Sequence, residues 1–334
     1  MQGWGMGNKK TARRIVEYAA VLFVLITLNF ALPRMMPGDP FLHITGDSDE
    51  IFTEYSLEQV EYYRSYYGLD KPLHEQYVKY LGELLRGDLG YSYYYKENVN
   101  TIIKNRFPWT LFLAGSALAL SLILGTLLGT YSAWRRDSWQ DRWLYTGLII
   151  FSEIPVFLIG LLFLVIFGAT LGWFPLSGSQ THFITYHSFG EKITDIVRHA
   201  VLPVTTLAIA RTGNIYLLVR NSLGSVLTRD YMRTARAKGL SEWRIRYVHA
   251  LKNALLPLVT RVAAQIGGLA GGAILAENVF AYPGLGTLMR SAVTVRDYPL
   301  LQGVFLVLAI SVIAANILAD LLYKKIDPRI SEES

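Results

Sequence analysis

The chain has 334 residues, of which 52% are hydrophobic and 17% are charged. This composition is typical of a polytopic membrane protein and excludes an ordinary water-soluble domain. The sequence contains no cysteine, which excludes disulfides, thiolate metal sites and cysteine nucleophiles. The net charge of +6 does not by itself indicate nucleic-acid binding, because its distribution along the chain matters more than its sum.

Apolar runs long enough to cross a bilayer recur along the chain and predict six transmembrane (TM) helices. Pro33 and Arg34 follow the first run directly, without the small-residue cleavage site of a signal peptide. Pro155 is expected to kink the third run. The predicted segments are a cytoplasmic N-terminus at 1–14, TM1 at 15–32, an external loop domain at 33–106, TM2 at 107–134, TM3 at 143–172, an external loop at 173–198, TM4 at 202–219, a cytoplasmic loop at 220–253, TM5 at 254–275, an external turn at 277–298, TM6 at 299–319 and a cytoplasmic C-terminus at 320–334.

The external loop domain is polar and rich in tyrosine, and it is predicted to be a small helical domain. Ser56 and Gln59 form a capping box at the start of one helix, and Gly68 ends that helix. Pro72 opens a second helix, and Gly87 ends it. Two helices are therefore expected in this domain.

Small residues four positions apart mark expected helix contacts in TM2 and TM5. Gly125 and Gly129 form such a pair in TM2, and Gly267 with Gly271 repeats the spacing in TM5. Because small side chains let two backbones approach closely, another helix is expected to pack at each pair.

Lysine and arginine are distributed unevenly between the two sides of the predicted membrane. If both termini are inside, the cytoplasmic segments carry 18 of these residues over about 70 positions, and the external segments carry 12 over about 120. This bias places both termini and the loop at 220–253 in the cytoplasm. The expected location is the inner (cytoplasmic) membrane of the cell, as a multi-pass protein.

Polar and ionisable side chains inside the predicted TM segments are candidates for a transport pathway. Glu153 lies ten residues beyond Trp143 and Arg211 nine beyond Leu202, so both reach near the midplane at about 1.5 Å per residue. Arg211 is expected to pair with Glu153 or to meet a substrate carboxylate, and a purely structural ion pair is the alternative. The pathway-lining candidates are Glu153, Arg211, Asn214, Arg261 and Gln265.

Motifs of enzymatic sites are absent from the sequence. No GxxxxGKS/T phosphate loop, HExxH or GxSxG motif occurs, and the six histidines are scattered. We therefore expect a non-catalytic chain without a cofactor or a metal site of its own. Its energy source must then be a partner.

The cytoplasmic loop at 220–253 is strongly basic and is predicted to form two short helices separated near Gly239. It contains RTARAKGLS at 233–241 and HALKNALLP at 249–257, and it resembles the cytoplasmic coupling loop of binding-protein-dependent ABC importer permeases. The first stretch lacks the Glu that begins the family signature, and Leu256–Pro257 lies later than in the general pattern. Both departures are usual in the dipeptide, oligopeptide and nickel branch of that family.

Further stretches resemble the same branch, namely MPGDP at 36–40, YGLDKPLHEQYVKYLGELLRGDLGYS at 67–92 and ENVFAYPGLGTLM at 277–289. The resemblance extends from Ile15 to about Arg329 and is to the first, B-type, permease subunit. It implies an all-α type I ABC importer permease fold with six TM helices and the small external domain. It also implies import of dipeptides or oligopeptides, with nickel chelates, glutathione or sugars as alternative cargoes of the same machinery.

The resemblance implies partners as well: a second homologous permease subunit, two ATP-binding subunits, an external substrate-binding protein and membrane lipid, but no nucleic acid. ATP and Mg²⁺ would bind in the partner subunits, where hydrolysis would occur. A coupling helix at about 230–238 would enter a cleft of an ATPase subunit and move as a lever, and the small residues Ala235 and Gly239 suit close packing there. The implied coupling residues are Asp230, Tyr231, Arg233, Thr234, Ala235, Arg236, Ala237, Lys238 and Gly239.

Two other functions stay open at this point. A stand-alone secondary transporter often shows internal inverted repeats, and the halves of this chain show no convincing repeat. A membrane-tethered DNA-binding regulator is the second, because Ala235 to Ile245 has the spacing of a helix-turn-helix. The TM segments on both sides of this stretch would leave its second helix no route to a DNA groove.

Overall fold

The structure, a computed structural model, describes residues 4–35, 57–255, 257–258, 262 and 269–326. Regular secondary structure in these ranges is helical, apart from an isolated antiparallel bridge between Tyr91 and Asn98. The predicted all-α fold class is therefore confirmed. The helices are α1 (Trp4–Arg34), α2 (Leu57–Tyr67), α3 (Leu73–Leu85), α4 (Val99–Trp134), α5 (Trp139–Glu153), α6 (Val156–Phe163), α7 (Phe189–Leu227), α8 (Asp230–Ala237), α9 (Glu242–Arg244), α10 (Leu251–Ala254), α11 (Leu269–Val279), α12 (Leu285–Thr294) and α13 (Tyr298–Ile326), with π-helical turns at Leu164–Thr170 and Ile245–Ala250.

In the described residues, three helices are long and apolar enough to cross a membrane: α4, α7 and the Tyr298–Ile317 part of α13. Helices α5 and α6 add a fourth span if this bent pair, with the π-helical turn after it, crosses the membrane once. The apolar part of α1, Ala20–Arg34, is shorter. Ten of the 22 residues of the predicted TM5 lie outside the described residues, so the total of six TM helices stays a prediction.

The kink predicted at Pro155 is a complete break between two helices. Helix α5 ends at Glu153, and Ile154 is extended with φ −73° and ψ 128° before Pro155 caps α6. The residue before a proline is disfavoured in the helical region, which explains why the chain leaves the helix there. The two helix axes differ in direction by 100°. The change of direction predicted at Pro155 is therefore present as a break between two helices, and a single TM segment at 143–172 stays a prediction.

Helix α7 begins well before the predicted start of TM4 at Leu202. Its first residue is Phe189, and the Ser188 side chain caps it by accepting a hydrogen bond from the Glu191 backbone N–H at 3.2 Å. The Glu191 carboxylate accepts a hydrogen bond from the His187 N–H at 2.8 Å. The Ser-x-x-Glu spacing is that of a capping box, and the last ten residues of the predicted external loop at 173–198 are helical.

The chain forms two compact units, of which unit 1 contains Met1–Phe107 and Thr287–Ile313. The helix ends predicted in its external domain are confirmed. Gly68 and Gly87 adopt left-handed conformations, with φ of +70° and +75°, just after α2 and α3 end. Pro72 precedes α3 as predicted. The capping-box residue Ser56 and the MPGDP stretch lie outside the described residues.

Polar contacts connect the distant parts of unit 1 to one another. The Asn29 side-chain amide on α1 donates to the Gln302 carbonyl on α13 at 2.8 Å. The Asp297 carboxylate caps α13 by accepting from the Leu300 N–H at 3.2 Å. It also accepts from Ser92 Oγ at 2.5 Å and from the Tyr94 N–H at 3.1 Å. These bonds fix the loop before α4 to the start of α13.

Unit 2 contains Pro108–Gly286 and Ala314–Ser334. The close helix contact predicted at Gly125 and Gly129 is confirmed, and the partner is α7. A Cβ on Gly125 would lie 2.6 Å from Ile215 Cγ2, and one on Gly129 would lie 2.8 Å from the Tyr216 carbonyl oxygen. Any larger side chain would therefore push α4 away from α7. The corresponding pair predicted in TM5 is only partly described.

Candidate coupling site

Helix α8 is a short helix with two distinct faces. Met232 and Ala235 are buried, with relative exposures of 0% and 9%. The other side chains of the helix face solvent and carry most of its charge. The exposed positions of α8 and its C-terminal turn are Asp230, Tyr231, Arg233, Thr234, Arg236, Ala237, Lys238 and Gly239.

The buried face of α8 packs on its own chain. Met232 and Ala235 belong to a buried cluster, here called the base cluster, with side chains from α4, α7, the second π-helical turn and α10. Its remaining members are Ala133, Leu223, Val226, Ile245, Ala250 and Ala254. The small size of Ala235 is thus explained by packing inside this chain, and its side chain lies on the opposite side from the exposed arginines. Ala235 and Ile245, the two ends of the helix-turn-helix spacing, lie together in this core.

Gly239 ends α8 through backbone conformation. Its φ is +72°, in the left-handed region that disfavours residues with a Cβ. The Leu240 N–H reaches the Ala235 carbonyl at 3.4 Å, and the Gly239 N–H reaches the Arg236 carbonyl at 2.9 Å. This is the Schellman pattern, and Leu240 packs against the base cluster as the hydrophobic residue that usually accompanies it. No atom lies within 4 Å of a Cβ built on Gly239, so the turn rather than crowding inside this chain requires glycine.

The turns after α8 are attached to the ends of the long helices. Tyr247 stacks on Trp134, with ring centroids 5.6 Å apart, and the Arg246 guanidinium lies 4.4 Å from the centre of a Trp134 ring. Ser222 Oγ donates to the Ala254 carbonyl at 2.8 Å. Aromatic and cation–π contacts of this kind add about 0.5–1.5 kcal/mol each. These contacts join the segment after α8 to the end of α4 and to α7.

A buried ion pair lies at the same end of unit 2. Arg220 on α7 donates to both carboxylate oxygens of Asp141 on α5, at 2.7 and 2.6 Å. Ser132 on α4 also donates to Asp141, and its hydroxyl lies 2.6 Å from the Tyr216 hydroxyl. The Asp141 side chain is only 2% exposed. Three helices thus meet at one satisfied polar network, which we call the Asp141 network.

The Asp141 network was not predicted from the sequence. In the sequence, Arg220 is one of eight basic residues in the loop at 220–253, and no motif marks Asp141. The local signal is Ser138, whose side chain accepts from the Asp141 N–H and caps α5. This signal places Asp141 in the first turn of a helix but does not identify a partner 79 residues away in the chain.

The pathway candidates do not form the predicted pair. Glu153 is exposed at the end of α5, and Asn214 is exposed on α7. Arg211 is partly buried, and its side chain forms no ion pair or hydrogen bond with any residue in the described ranges. Of the two roles expected for Arg211, the pair with Glu153 is not formed in this structure, and the contact with a substrate carboxylate stays a prediction. Arg261 and Gln265 lie outside the described residues.

Helix α5 crosses α7 close to these candidates. A Cβ on Gly213 would lie 1.9 Å from Ser152 Oγ and 2.9 Å from the Leu148 carbonyl oxygen. The residues next to this contact along the two helices are Glu153 and Asn214. No group of three or more His, Asp or Glu side chains that could hold a metal ion occurs in the described part of the chain.

Comparison with known proteins identifies the family. The N-terminal family of binding-protein-dependent transport system membrane components matches residues 9–114, and the inner membrane component family of these systems matches residues 125–332. The di/tripeptide transport system permease protein DppB of Pseudomonas aeruginosa is 36% identical over 96% of this chain and 98% of its own length. The glutathione transport system permease protein GsiC of Escherichia coli is 35% identical over 95% of this chain and 97% of its own length.

The fold is similar to that of a solved transporter chain. A chain of the MetNI methionine ABC transporter, in an inward-facing conformation, superposes with a TM-score of 0.55. The match covers 68% of this chain and 96% of that chain at 16% sequence identity, so it concerns the fold alone. The chain belongs to the binding-protein-dependent transport system inner membrane components, the permease subunits of ABC importers.

Proposed function

We propose that the chain is one permease subunit of an ATP-driven importer of small peptides, and that the exposed face of α8 docks on an ATPase subunit. The observation that carries the proposal is the two-faced α8. Its buried face is fixed to α4 and α7 through the base cluster, and its exposed face presents Arg233 and Arg236 to solvent. A helix held rigidly on one side and charged on the other suits docking and force transmission.

The coupling surface is smaller than the set predicted from the sequence. Tyr231, Arg233, Thr234, Arg236, Ala237 and Lys238 are exposed and form it, with Asp230 and Gly239 at its two ends. Ala235 acts from the opposite face, by holding α8 on the base cluster. The arginines steer and orient docking, whereas the packed face converts the movement of the ATPase subunit into movement of α4 and α7.

The partners in this proposal are a second, similar permease subunit, two ATPase subunits and an external binding protein. ATP and Mg²⁺ bind in the ATPase subunits, since the sequence of this chain contains no phosphate loop. Both termini and α8 lie in the cytoplasm, and the external domain in unit 1 faces the binding protein. Tyr62 and Tyr66 on α2 are 65% and 70% exposed, and they are the part of that domain best suited to contact it.

Small peptides are the proposed substrate because the two relatives named above transport di- and tripeptides and glutathione by their names. These molecules carry at least one carboxylate. Arg211 is a cation without a protein partner in the described residues, and Asn214 one turn further along α7 is exposed. We assign these two residues to the pathway, where Arg211 meets the substrate carboxylate.

Coexpression and reconstitution test the proposal. The chain is coexpressed with its candidate partner permease and ATPase subunits, and the purified assembly is placed in lipid vesicles. Uptake of a labelled dipeptide should require ATP, the ATPase subunits and the external binding protein together. Uptake by the chain without ATPase subunits would contradict the proposal and favour a stand-alone transporter.

A further inference from the structure

Unit 1 contains a cavity of about 420 Å³ between α1, α3, the loop before α4 and the start of α13. This volume falls in the range of small-molecule sites, about 300–1,000 Å³. The phenol rings of tyrosine form much of its wall. The tyrosines that line it are Tyr66, Tyr67, Tyr80, Tyr91, Tyr93 and Tyr298.

Arg34, at the end of α1, lines the cavity and is held by neutral partners. Its Nε donates to Gln76 Oε1 at 3.0 Å, and its Nη1 donates to the Phe30 carbonyl at 3.0 Å. The guanidinium also lies 3.6 Å from the centre of the Phe30 ring. Arg34 forms no ion pair with a residue of the described ranges, and Nη2 has no hydrogen-bond partner there. The cavity therefore presents a fixed cation with free donors.

The charges around the cavity balance one another, with three basic and three acidic lining residues. Lys79 and Glu83 form an ion pair at 3.7 Å, which satisfies one charge of each sign. The Glu75 carboxylate has no side-chain partner in the described part of the chain, and Asp88 accepts one backbone N–H, from Gly90 at 2.9 Å. The cavity thus offers two cations, Arg34 and Lys71, and two carboxylates, Glu75 and Asp88, that form no ion pair within the described residues.

This charge pattern selects among anionic ligands. A phosphate group carries negative charge only, so it would leave Glu75 and Asp88 uncompensated beside it even where Arg34 and Lys71 bind it, and a ligand with charges of both signs fits the lining better. A small zwitterion can place its carboxylate on Arg34 and its ammonium group near the acids. Burial raises the pKa of Tyr80, so its hydroxyl stays protonated and keeps a hydrogen to donate.

We propose that this cavity is a binding site for a small zwitterion of dipeptide size, with the carboxylate on Arg34 and the ammonium group at Glu75 or Asp88. The cavity is thus a second site for the same class of ligand as the proposed substrate. It belongs to unit 1, whereas the proposed pathway residues Arg211 and Asn214 belong to unit 2. The choice of a dipeptide rests on the proposed function. The choice of a zwitterion rests only on the charges that line the cavity. The site would hold a peptide on the external domain without help from the binding protein.

Ligand variation tests the site without any mutation. The full-length chain in lipid nanodiscs, without a binding protein, is titrated calorimetrically with alanyl-alanine, its C-terminal amide, its N-acetyl derivative and inorganic phosphate. The free dipeptide should bind saturably, and loss of either charge should weaken binding about tenfold or more. Equal binding of the amide, no binding of the dipeptide, or tighter binding of phosphate would each overturn the proposal.

Variants then place the binding in the cavity. Arg34→Gln should weaken dipeptide binding about tenfold or more, whereas Arg86→Gln, an exposed change outside the cavity, should leave it unchanged. Because Arg34 also holds Gln76 and Phe30, Glu75→Gln is the second variant, and it should weaken binding of the dipeptide but not of its N-acetyl derivative. Unchanged binding in both variants overturns the proposal.

The outcome is separable from that of the proposed function. Dipeptide binding to this chain without ATP-driven uptake by the assembly would leave the cavity site standing and reject the importer. Uptake without dipeptide binding to this chain would reject the cavity site alone.

Discussion

Arg220 and Arg211 lie nine residues apart on α7, about 14 Å along the helix axis, and they meet opposite environments. Arg220 makes a bidentate bond to Asp141, which Ser132 and the Asp137 N–H also satisfy. Arg211 is partly buried and has no side-chain partner in the described residues. The first arginine ties three helices together, and the second leaves its charge uncompensated within the described chain.

The difference separates structural charges from functional ones. Keeping a cation in an apolar span without a partner costs at least about 2.5 kcal/mol on insertion scales. Such a cost is understandable when a ligand from outside the chain supplies the counter-charge. The end of unit 2 that contains the Asp141 network is thus a rigid base for α8, and the middle of α7 is a candidate contact for substrate.

Removing the carboxylate of the Asp141 network should have the largest effect on stability. Asp141→Asn leaves Arg220, whose side chain is 15% exposed, without its buried counter-ion, so we expect a loss of about 3 kcal/mol and little assembled transporter. Thermal unfolding of the purified chain measures the loss. Asp137→Asn is the matched control, because Asp137 is exposed and asparagine tolerates its φ of 67°. Equal melting temperatures for the two variants would contradict the structural role of Asp141.

Overpacking the buried face of α8 should have the second-largest effect on stability. Ala235→Trp forces a large ring into the base cluster and should cost about 1–3 kcal/mol, with release of α8 from α4 and α7. Ala237→Trp adds the same ring to the exposed face, so it should leave the melting temperature unchanged and reduce only the copurification of ATPase subunits. If Ala235→Trp lowered neither the melting temperature nor the copurification of ATPase subunits, the packing of Ala235 on the base cluster would be contradicted.

The turn at Gly239 should be sensitive to any Cβ. Gly239→Ala places alanine at a φ of +72° and should cost about 1–2 kcal/mol, whereas asparagine should cost less at the same position. Gly82→Ala is the control. Gly82 is in the interior of α3, and a Cβ there would lie in open space, so this variant should be more stable than the original protein. Lost copurification of ATPase subunits without any change in melting temperature would instead assign Gly239 to the docking surface itself.

The smallest effect on stability is expected at Arg211. Arg211→Gln removes a charge that has no partner among the described residues, so the melting temperature should barely change while dipeptide uptake falls about tenfold or more. Arg198→Gln, on the same helix but exposed, should leave uptake normal. The swap of Glu153→Arg with Arg211→Glu should not restore uptake, because the two residues form no pair. Restored uptake in the double variant would instead support a structural ion pair between residues 153 and 211.

Elements defined by local signals were predicted well from the sequence. The positions of Gly68, Pro72 and Gly87 marked the ends of α2 and α3 because these residues act through their own backbone conformation. The Gly125 and Gly129 pair likewise indicated a close helix contact through size alone. The start of α7 carries a local signal too, in the Ser-x-x-Glu of Ser188 and Glu191, which lies well before the predicted start of TM4 at Leu202.

Pairings between distant residues could not be predicted in this way. Depth in the membrane placed Glu153 and Arg211 at similar levels, but depth does not say which side of a helix each one occupies. The break before Pro155 changes the direction of the chain by 100° just after Glu153. An estimate of depth from residue counts assumes a straight helix and therefore misses this change. The two faces of α8 also depend on tertiary contacts, because Ala235 is buried by residues from four other segments.

The coupling role of α8 is tested most directly by reversing charge on its exposed face alone. The double variant Arg233→Glu with Arg236→Glu changes two exposed side chains of α8, and Arg244→Glu with Lys252→Glu makes the same change at exposed positions outside α8. The amount of ATPase subunit that copurifies with each variant is measured at equal melting temperature. We predict a large loss for the α8 variant and near-normal copurification for the control. Normal copurification with the α8 variant would contradict docking through this face.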